Sequence, residues 1–259
     1  MRVILHAGFH KTGTSSVQAT LRANRRRLKP HLRVILRPAM VAACDSARAY
    51  SISGDPLDLA LFQYELAQLA EGWDVRDTRP VLISAEDLCG HMPGRHGLAG
   101  YDAAPQLMLT AAQTLAEIRP EARVEFIFTT RAAEPWLASC HAQHLRAMRM
   151  RLDRAEFARA WRGAADLPAL VATIAQVLAP RAVHQAALED CAHRRLGPLD
   201  PILDILALPD RLRAALVPQP PANRAPSPAR QAELLRLNRS DLSDGELKRA
   251  KAALPPEPG

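Results

Sequence analysis

The stretch RVILHAGFHKTGTSSVQATLRANRRRL, residues 2–28, decides the fold of this chain. Residues 2–7 form a short apolar run rich in Val, Ile and Leu, which is typical of a buried parallel strand. Residues 8–13 predict a loop, and residues 14–28 predict a helix. A loop that joins a strand to a helix start gathers backbone N–H groups at the positive end of the helix dipole. The stretch therefore predicts an anion-binding site.

The position of the lysine distinguishes this loop from the common nucleotide-binding loop. A Walker A loop reads G-x-x-x-x-G-K-[ST], and its lysine follows the second glycine. Here Gly8 and Gly13 keep the glycine spacing, but Thr14 and Ser15 follow Gly13, and the lysine is Lys11. We expect this amine to lie near the group that leaves the first phosphate, rather than along a triphosphate.

A second segment, FIFTTRAAEPWLAS (126–139), contains another pair of candidate binding residues. Arg131 stands at the end of a predicted strand, and Ser139 follows it by eight residues. Pro135 favours a helix start, so Ser139 is expected in the first turns of a helix.

Together the two segments resemble the sulfotransferases that use 3′-phosphoadenylyl sulfate (PAPS), a branch of the P-loop fold, and the chain looks like a bacterial-type member. The family's loop reads K-[ST]-G-[ST]-[ST], which matches residues 11–15, and a serine follows it. Its second motif is an arginine at a strand end with a serine eight residues on. The resemblance implies that the cofactor is PAPS and the product adenosine 3′,5′-bisphosphate, with no metal required.

The resemblance also assigns roles to individual residues. Lys11 would contact the bridging oxygen of the phosphosulfate and stabilise the leaving phosphate, while Arg131 and Ser139 would bind the 3′-phosphate. The 5′-phosphate would be bound by the residues that surround the helix start, which are Thr12, Gly13, Thr14, Ser15 and Ser16. One departure matters, because the cytosolic eukaryotic branch has a late Gly-rich basic loop with no counterpart here. The adenine-binding residues therefore stay unassigned.

A hydroxyl acceptor loses its proton as it attacks, so a base is expected opposite Lys11. Glu86 stands at the end of a predicted strand, where glycan-modifying members of the family have a glutamate. His10 and His91 are rivals, because an imidazole suits base chemistry near neutral pH. His6, inside the first strand, is expected to be a packed core histidine.

The remaining chain predicts an α/β architecture. Further strands are expected at 32–38, 79–86, 122–131 and 181–189, and helices at 58–70, 105–118 and 198–216. Strands separated by helices imply crossover connections, so we expect a three-layer P-loop-type fold with a central, mostly parallel sheet flanked by helices.

The chain divides into two parts of unequal size. Residues 1–217 are expected to form the sulfotransferase-like P-loop domain. Residues 218–259 are expected to form a Pro-rich linker and a C-terminal helical extension that packs on the domain, with helices at 230–237 and 244–254 and a disordered end.

Composition narrows the classes of partner. The formal net charge of +7 and the pI of about 9.7 favour anionic ligands. All but four of the basic residues are arginines, a bias that often reflects a GC-rich coding sequence, so we expect no nucleic-acid partner. Four widely spaced cysteines, without a CxxC pair, disfavour a zinc site and disulfides and favour a reducing compartment. With no signal peptide or long apolar run, a cytoplasmic protein without a membrane span is expected.

Three functions stay open at this point. The first is a PAPS-dependent sulfotransferase that acts on a hydroxyl or amine of a carbohydrate or small metabolite. The second is a P-loop kinase or hydrolase, and the third is a non-catalytic nucleotide-binding module of the same fold.

The acceptor pocket is expected within residues 40–75 and 88–105. The basic segment 141–161 is either a solvated helix face or a lining of the acceptor cleft that attracts an anionic acceptor. The oligomeric state is not predicted.

Overall fold

A computed structural model describes residues 1–220 and 225–256 and contains one parallel sheet. The five strands lie in the order β2-β3-β1-β4-β5, and every pairing is parallel. The strands are β1 (Arg2–His6), β2 (Arg33–Leu36), β3 (Val81–Ser84), β4 (Arg123–Thr130) and β5 (Val183–Ala187). The predicted strands and the α/β class with a parallel sheet are thus confirmed. The strands end a little earlier than predicted, because their last residues already belong to the loops.

Helices cover both faces of the sheet. They are α1 (Thr14–Ala23), α2 (Arg25–Leu28), α3 (Val41–Ser53), α4 (Pro56–Glu71), α5 (Ala104–Ile118), α6 (Ala133–Ala147), α7 (Arg154–Ala160), α8 (Leu167–Leu178), α9 (Asp200–Leu206), α10 (Asp210–Ala215), α11 (Pro228–Arg239) and α12 (Asp244–Ala252). Short 3-10 turns occur at Arg37–Ala39, Glu86–Cys89, Arg162–Ala165, Glu189–Cys191 and Gly197–Leu199.

Alternation along the strands produces two hydrophobic cores. In β1, Val3 and Leu5 face the core beneath α3 to α6 and α8, while Ile4 faces the core beneath α1 and α9. Each fully buried aliphatic side chain contributes about 1.5–3 kcal/mol relative to an exposed one. Both faces of the sheet are therefore buried, which gives the three layers that the sequence predicts.

The first predicted helix, 14–28, is interrupted at Asn24. The side chain of Asn24 donates to the carbonyls of Thr20 and Val217, and it accepts from the N–H of Val217. This buried amide joins the end of α1 to a segment far along the chain, and the backbone turns there before α2 begins. A helix periodicity in sequence does not reveal such a long-range partner.

Two other helical predictions need correction. The predicted helix 198–216 is split into α9 and α10, because Ala207 adopts a left-handed conformation with a φ of 50°. The basic segment 141–161 is not one helix, since α6 ends at Ala147 and α7 starts after its own Asp153 cap.

The C-terminal helices contact the end of α6. Asn238 of α11 donates to the carbonyl of Leu145 at 3.1 Å. The ammonium group of Lys251, in α12, donates to the carbonyls of Leu145 and Met148 at 2.7 and 2.8 Å. Parts of the predicted linker and tail, 221–224 and 257–259, lie outside the described residues. Within the described parts of the chain, no helix is both long enough and apolar enough to cross a bilayer.

The strand order creates a switch point between β1 and β4. From β1 the chain crosses to β2 at one side of the sheet, and from β4 it continues to β5 at the other side. In open parallel sheets, ligands bind at the carboxyl ends of the strands where the connections diverge in this way. The loops that follow β1 and β4, predicted to bind an anion, lie at this position.

Candidate active site

The loop after β1 has an unusual backbone that the local sequence permits. Gly8 and Gly13 have φ values of 44° and 98°. A Cβ on Gly13 would lie 2.9 Å from Leu188 Cδ1, so a larger residue would strain the backbone and clash. Lys11 also has a positive φ, 69°, which is uncommon for a residue with a Cβ and marks a conformation that its surroundings impose.

Neighbouring side chains hold this loop in place. Thr12 is fully buried, and its hydroxyl donates to the carbonyl of Phe9 at 2.6 Å. Trp136 donates its indole N–H to the carbonyl of His10 at 2.9 Å. Since the hydroxyl of Thr12 is used inside the loop, Thr12 can offer a ligand only its backbone N–H.

The start of α1 has the properties of an anion site. No described side chain caps it, and its first turn contains no acidic residue. The first N–H groups of a helix lack intrahelical partners and carry the positive end of the dipole. The hydroxyl oxygen of Thr14 is buried there without a hydrogen-bond partner among the described residues. A bound anion would satisfy these donors.

A cavity of about 690 Å³ opens above this helix start. Of the residues predicted to bind or catalyse, those that line it are His10, Lys11, Gly13, Thr14, Ser15, Ser16, Glu86, Arg131 and Ser139. Thr12 and His91 are not among its lining residues. Both predicted segments therefore face one space.

The amine of Lys11 has no neutralising partner in the described parts of the chain. Its pKa is lowered, first by burial and then by the positive charges of Arg146 and Arg131, although Cys140 and Glu86 act in the opposite direction. A half-buried amine beside two guanidinium groups is a place where a bound anion gains electrostatic stabilisation.

Arg131 extends from the end of β4 toward the crown of the loop. Its Nη1 donates to the carbonyl of Lys11 at 3.2 Å, which joins the two predicted segments directly. Ser139 lies in the second turn of α6, and its hydroxyl makes no hydrogen bond with any described residue. The remaining guanidinium N–H groups and this hydroxyl are donors for a ligand in the cavity.

The three candidate bases differ in their surroundings. Glu86 follows β3 and lines the cavity, and Gln18 of α1 donates to its Oε2 at 3.0 Å. Its Oε1 accepts no hydrogen bond from any described residue. One carboxylate oxygen is thus held in place while the other can accept a proton.

Both ring nitrogens of His10 are already engaged. The backbone N–H of His10 donates to the hydroxyl of Tyr101 at 3.0 Å, and that hydroxyl lies 3.1 Å from Nδ1. Nε2 lies 3.3 Å from Oδ1 of Asp87. Burial would raise the pKa of Asp87, but hydrogen bonds and charges from His10, Arg37 and Arg48 outweigh it and lower this pKa. His10 therefore lines the cavity as part of a closed network.

Neither His91 nor His6 is among the residues that line the cavity. Burial, followed by the charge of His96, lowers the pKa of His91 to about 4. His6 is a fully buried core residue, as predicted, with Nδ1 2.9 Å from the hydroxyl of Ser84.

Three arginines that the sequence did not single out also line the cavity: Arg95, Arg194 and Arg195. Arg194 is paired with Asp204 at 2.7 Å, and Arg195 donates to the carbonyl of Leu216 at 2.7 Å. The consecutive arginines before Gly197 are the signal that could have indicated this wall. With Lys11 and Arg131, five cationic side chains line the cavity, and Glu86 is its one acidic residue within the described ranges.

No metal centre accompanies these charges in the described ranges. No group of three or more His, Cys, Asp or Glu side chains in residues 1–220 and 225–256 is arranged to hold an ion. Comparison of the chain with models of protein families, with characterised proteins and with solved structures gives no match.

Proposed function

We propose that this chain is a PAPS-dependent sulfotransferase that acts on a hydroxyl or amine of a carbohydrate or small metabolite. The observation that carries the proposal is that Lys11, the start of α1, Arg131 and Ser139 line one cavity. These are donors for two separate anionic groups, as adenosine 3′,5′-bisphosphate and its sulfated form require.

The donor groups in the cavity fit such a cofactor. The hydroxyl of Thr14 and the first N–H groups of α1, which have no side-chain partner among the described residues, would hold the 5′-phosphate. Arg131 would bind the 3′-phosphate through charge-assisted hydrogen bonds, with Ser139 as a neutral donor. When bound, PAPS supplies the sulfuryl group that is transferred.

Lys11 would stabilise the negative charge that grows on the departing phosphate oxygen. Removal of one preorganised donor of this kind typically lowers a rate by about 10²–10³-fold. Glu86 would take the proton of the acceptor through Oε1, which accepts no hydrogen bond from the described residues, and Gln18 would hold the carboxylate in orientation. The four buried, unpaired cysteines support the cytoplasm as the proposed location.

Thermal unfolding with different nucleotides tests the proposal. A ligand at 100 times its Kd stabilises the folded state by about 2.7 kcal/mol. We expect adenosine 3′,5′-bisphosphate to raise the Tm more than AMP or ATP with Mg²⁺ at equal concentration. A preference for ATP with Mg²⁺ would instead indicate a P-loop kinase or hydrolase. Bisphosphate binding without sulfuryl transfer to any acceptor would indicate the non-catalytic module.

A further inference from the structure

Arg95 differs from the other arginines of the cavity because its guanidinium has no hydrogen-bond partner among the described residues. It lies on the loop that follows Glu86–Cys89 and is half-buried in the cavity wall. Its guanidinium makes no hydrogen bond and no ion pair with any described residue. By contrast, Arg131 donates to the carbonyl of Lys11, and Arg194 is paired with Asp204. A half-buried guanidinium without a partner is a binding group for an anion.

One face of α6 continues this positive surface. Ser139, Gln143 and Arg146 are spaced by four and three residues, so they lie along one side of the helix. Ser139 and Gln143 line the cavity, and Arg146 donates to Oε1 of Gln143 at 2.8 Å. The charge of Arg146 is close enough to lower the pKa of Lys11. The face therefore extends from the proposed 3′-phosphate residue to a second basic group.

The loop that contains Arg95 is fixed against α6. His144 of α6 hydrogen-bonds through Nε2 to the carbonyl of Pro93 at 2.8 Å, and Trp161, which follows α7, donates to the carbonyl of Leu98 at 3.0 Å. A Cβ on Gly94 would lie 2.9 Å from Nε2 of His144, so the contact requires glycine at that position. The loop of Arg95 and helix α6 are thus joined, and Arg95, Ser139 and Gln143 all line the cavity.

The cavity wall has more positive charge than the proposed cofactor uses. Lys11, the start of α1, Arg131 and Ser139 account for both phosphates of adenosine 3′,5′-bisphosphate. We propose, on the basis of the sulfotransferase function above, that Arg95 and Arg146, with Gln143, bind a carboxylate on the acceptor. The acceptor class is then a hydroxylated acid, such as a uronic acid unit, with its hydroxyl presented to Glu86. The planar guanidinium fork matches a carboxylate with two parallel hydrogen bonds.

Calorimetric titration with a matched pair of compounds tests this inference. The probes are 4-nitrophenyl β-D-glucuronide and 4-nitrophenyl β-D-glucoside, which differ only in a carboxylate against a hydroxymethyl group. Each is titrated into the full chain saturated with adenosine 3′,5′-bisphosphate, and again without nucleotide. The variants are Arg95→Gln and Arg146→Gln. Arg146 is exposed at the rim and donates to the cavity-lining Gln143, whereas the control, Arg162→Gln, changes an exposed arginine in the separate turn Arg162–Ala165.

We expect the glucuronide to bind at least tenfold more tightly than the glucoside, as a charge-assisted hydrogen bond predicts. Arg95→Gln should remove most of this preference, Arg146→Gln part of it and Arg162→Gln none. Equal affinities, absence of binding by both probes, or a preference that survives Arg95→Gln would overturn the inference. So would an Arg95→Gln variant that weakens bisphosphate binding as much as Arg131→Ala does, since Arg95 would then belong to the nucleotide site.

The two proposals fail separately in this design. If the bisphosphate binds without any preference for the glucuronide, the carboxylate site is wrong and the sulfotransferase proposal stands. If the bisphosphate does not bind, the sulfotransferase proposal is wrong. The titration without nucleotide still decides whether a carboxylate site exists, because it shows whether Arg95→Gln removes the preference for the glucuronide.

Discussion

Arg131 is the residue whose substitution separates a 3′-phosphate site from general attraction of anions. Arg131→Ala should weaken binding of adenosine 3′,5′-bisphosphate by about 10- to 100-fold, because charge-assisted hydrogen bonds are lost. Binding of AMP, which lacks the 3′-phosphate, should change little. Ser139→Ala removes only a neutral hydrogen bond and should weaken bisphosphate binding by only several-fold. Calorimetry with both nucleotides measures this difference, and equal losses for both would contradict the assignment of Arg131.

Substitution of Glu86 or of His10 should affect kcat differently if Glu86 is the catalytic base. Glu86→Gln keeps the hydrogen-bonding shape but removes the proton acceptor, and general-base catalysis typically contributes about 10²–10⁴-fold. We therefore expect at least a hundredfold lower kcat with the nucleotide-induced rise in Tm retained. His10→Gln should affect kcat less, because the ring nitrogens are already bound to Tyr101 and Asp87. If the Glu86→Gln variant is active and the His10→Gln variant is inactive, His10 rather than Glu86 is the catalytic base.

At the scale of elements, α6 depends on the C-terminal helices. The ammonium of Lys251 satisfies the carbonyls of Leu145 and Met148, which lie at the end of α6. A cation at a helix C-terminus also interacts favourably with the dipole. Lys251→Met should therefore lower the free energy of unfolding by about 1 kcal/mol, since these charged hydrogen bonds are half-exposed.

Lys248→Met is the matched control, because Lys248 lies in the same helix and is exposed. Urea unfolding of both variants measures the difference. Equal stability of the two variants would show that the hydrogen bonds of the Lys251 ammonium do not stabilise the fold.

The strands were predictable from sequence and some helices were not. Strands β1 to β4 are rich in β-branched or apolar residues, and recognisable polar motifs follow β1 and β4. Strand β5, VHQAA, has a weaker pattern. Helix α3 escaped prediction because its buried face consists of small residues, Ala43, Cys44, Ser46 and Ala47. Small side chains give little periodic contrast in hydrophobicity, although they pack closely against neighbouring elements.

At the scale of the whole molecule, part of the candidate site depends on topology. The loops after β1, β3 and β4 could be predicted individually, because each follows an apolar strand. Their meeting depends on the order β2-β3-β1-β4-β5, which the sequence alone does not specify. Arg95, Arg194 and Arg195 come from loops with no motif, and only the packing of those loops brings them to the cavity.

The whole molecule should also lose stability between neutral and mildly acidic pH. Burial lowers the pKa of His6 and of His144 from 6.5 to about 4 in the folded state. As the pH falls from 6.5 toward 4, the unfolded chain binds these protons first, so the free energy of unfolding decreases. Each histidine contributes a slope of up to about 1.4 kcal/mol per pH unit.

Urea unfolding at pH 7.5, 6 and 5 measures this dependence. His6→Gln should reduce the slope, while His31→Gln, at an exposed position, should leave it unchanged. Equal free energies of unfolding at pH 7.5 and pH 5 would show that these histidines do not resist protonation in the folded protein.

A crystal structure with adenosine 3′,5′-bisphosphate tests the central claim most directly. We predict the 5′-phosphate on the start of α1 beside Lys11, and the 3′-phosphate within hydrogen-bond distance of Arg131 and Ser139. A bisphosphate bound elsewhere, or one bound in the cavity with Lys11 and Arg131 both directed away from it, would contradict the account.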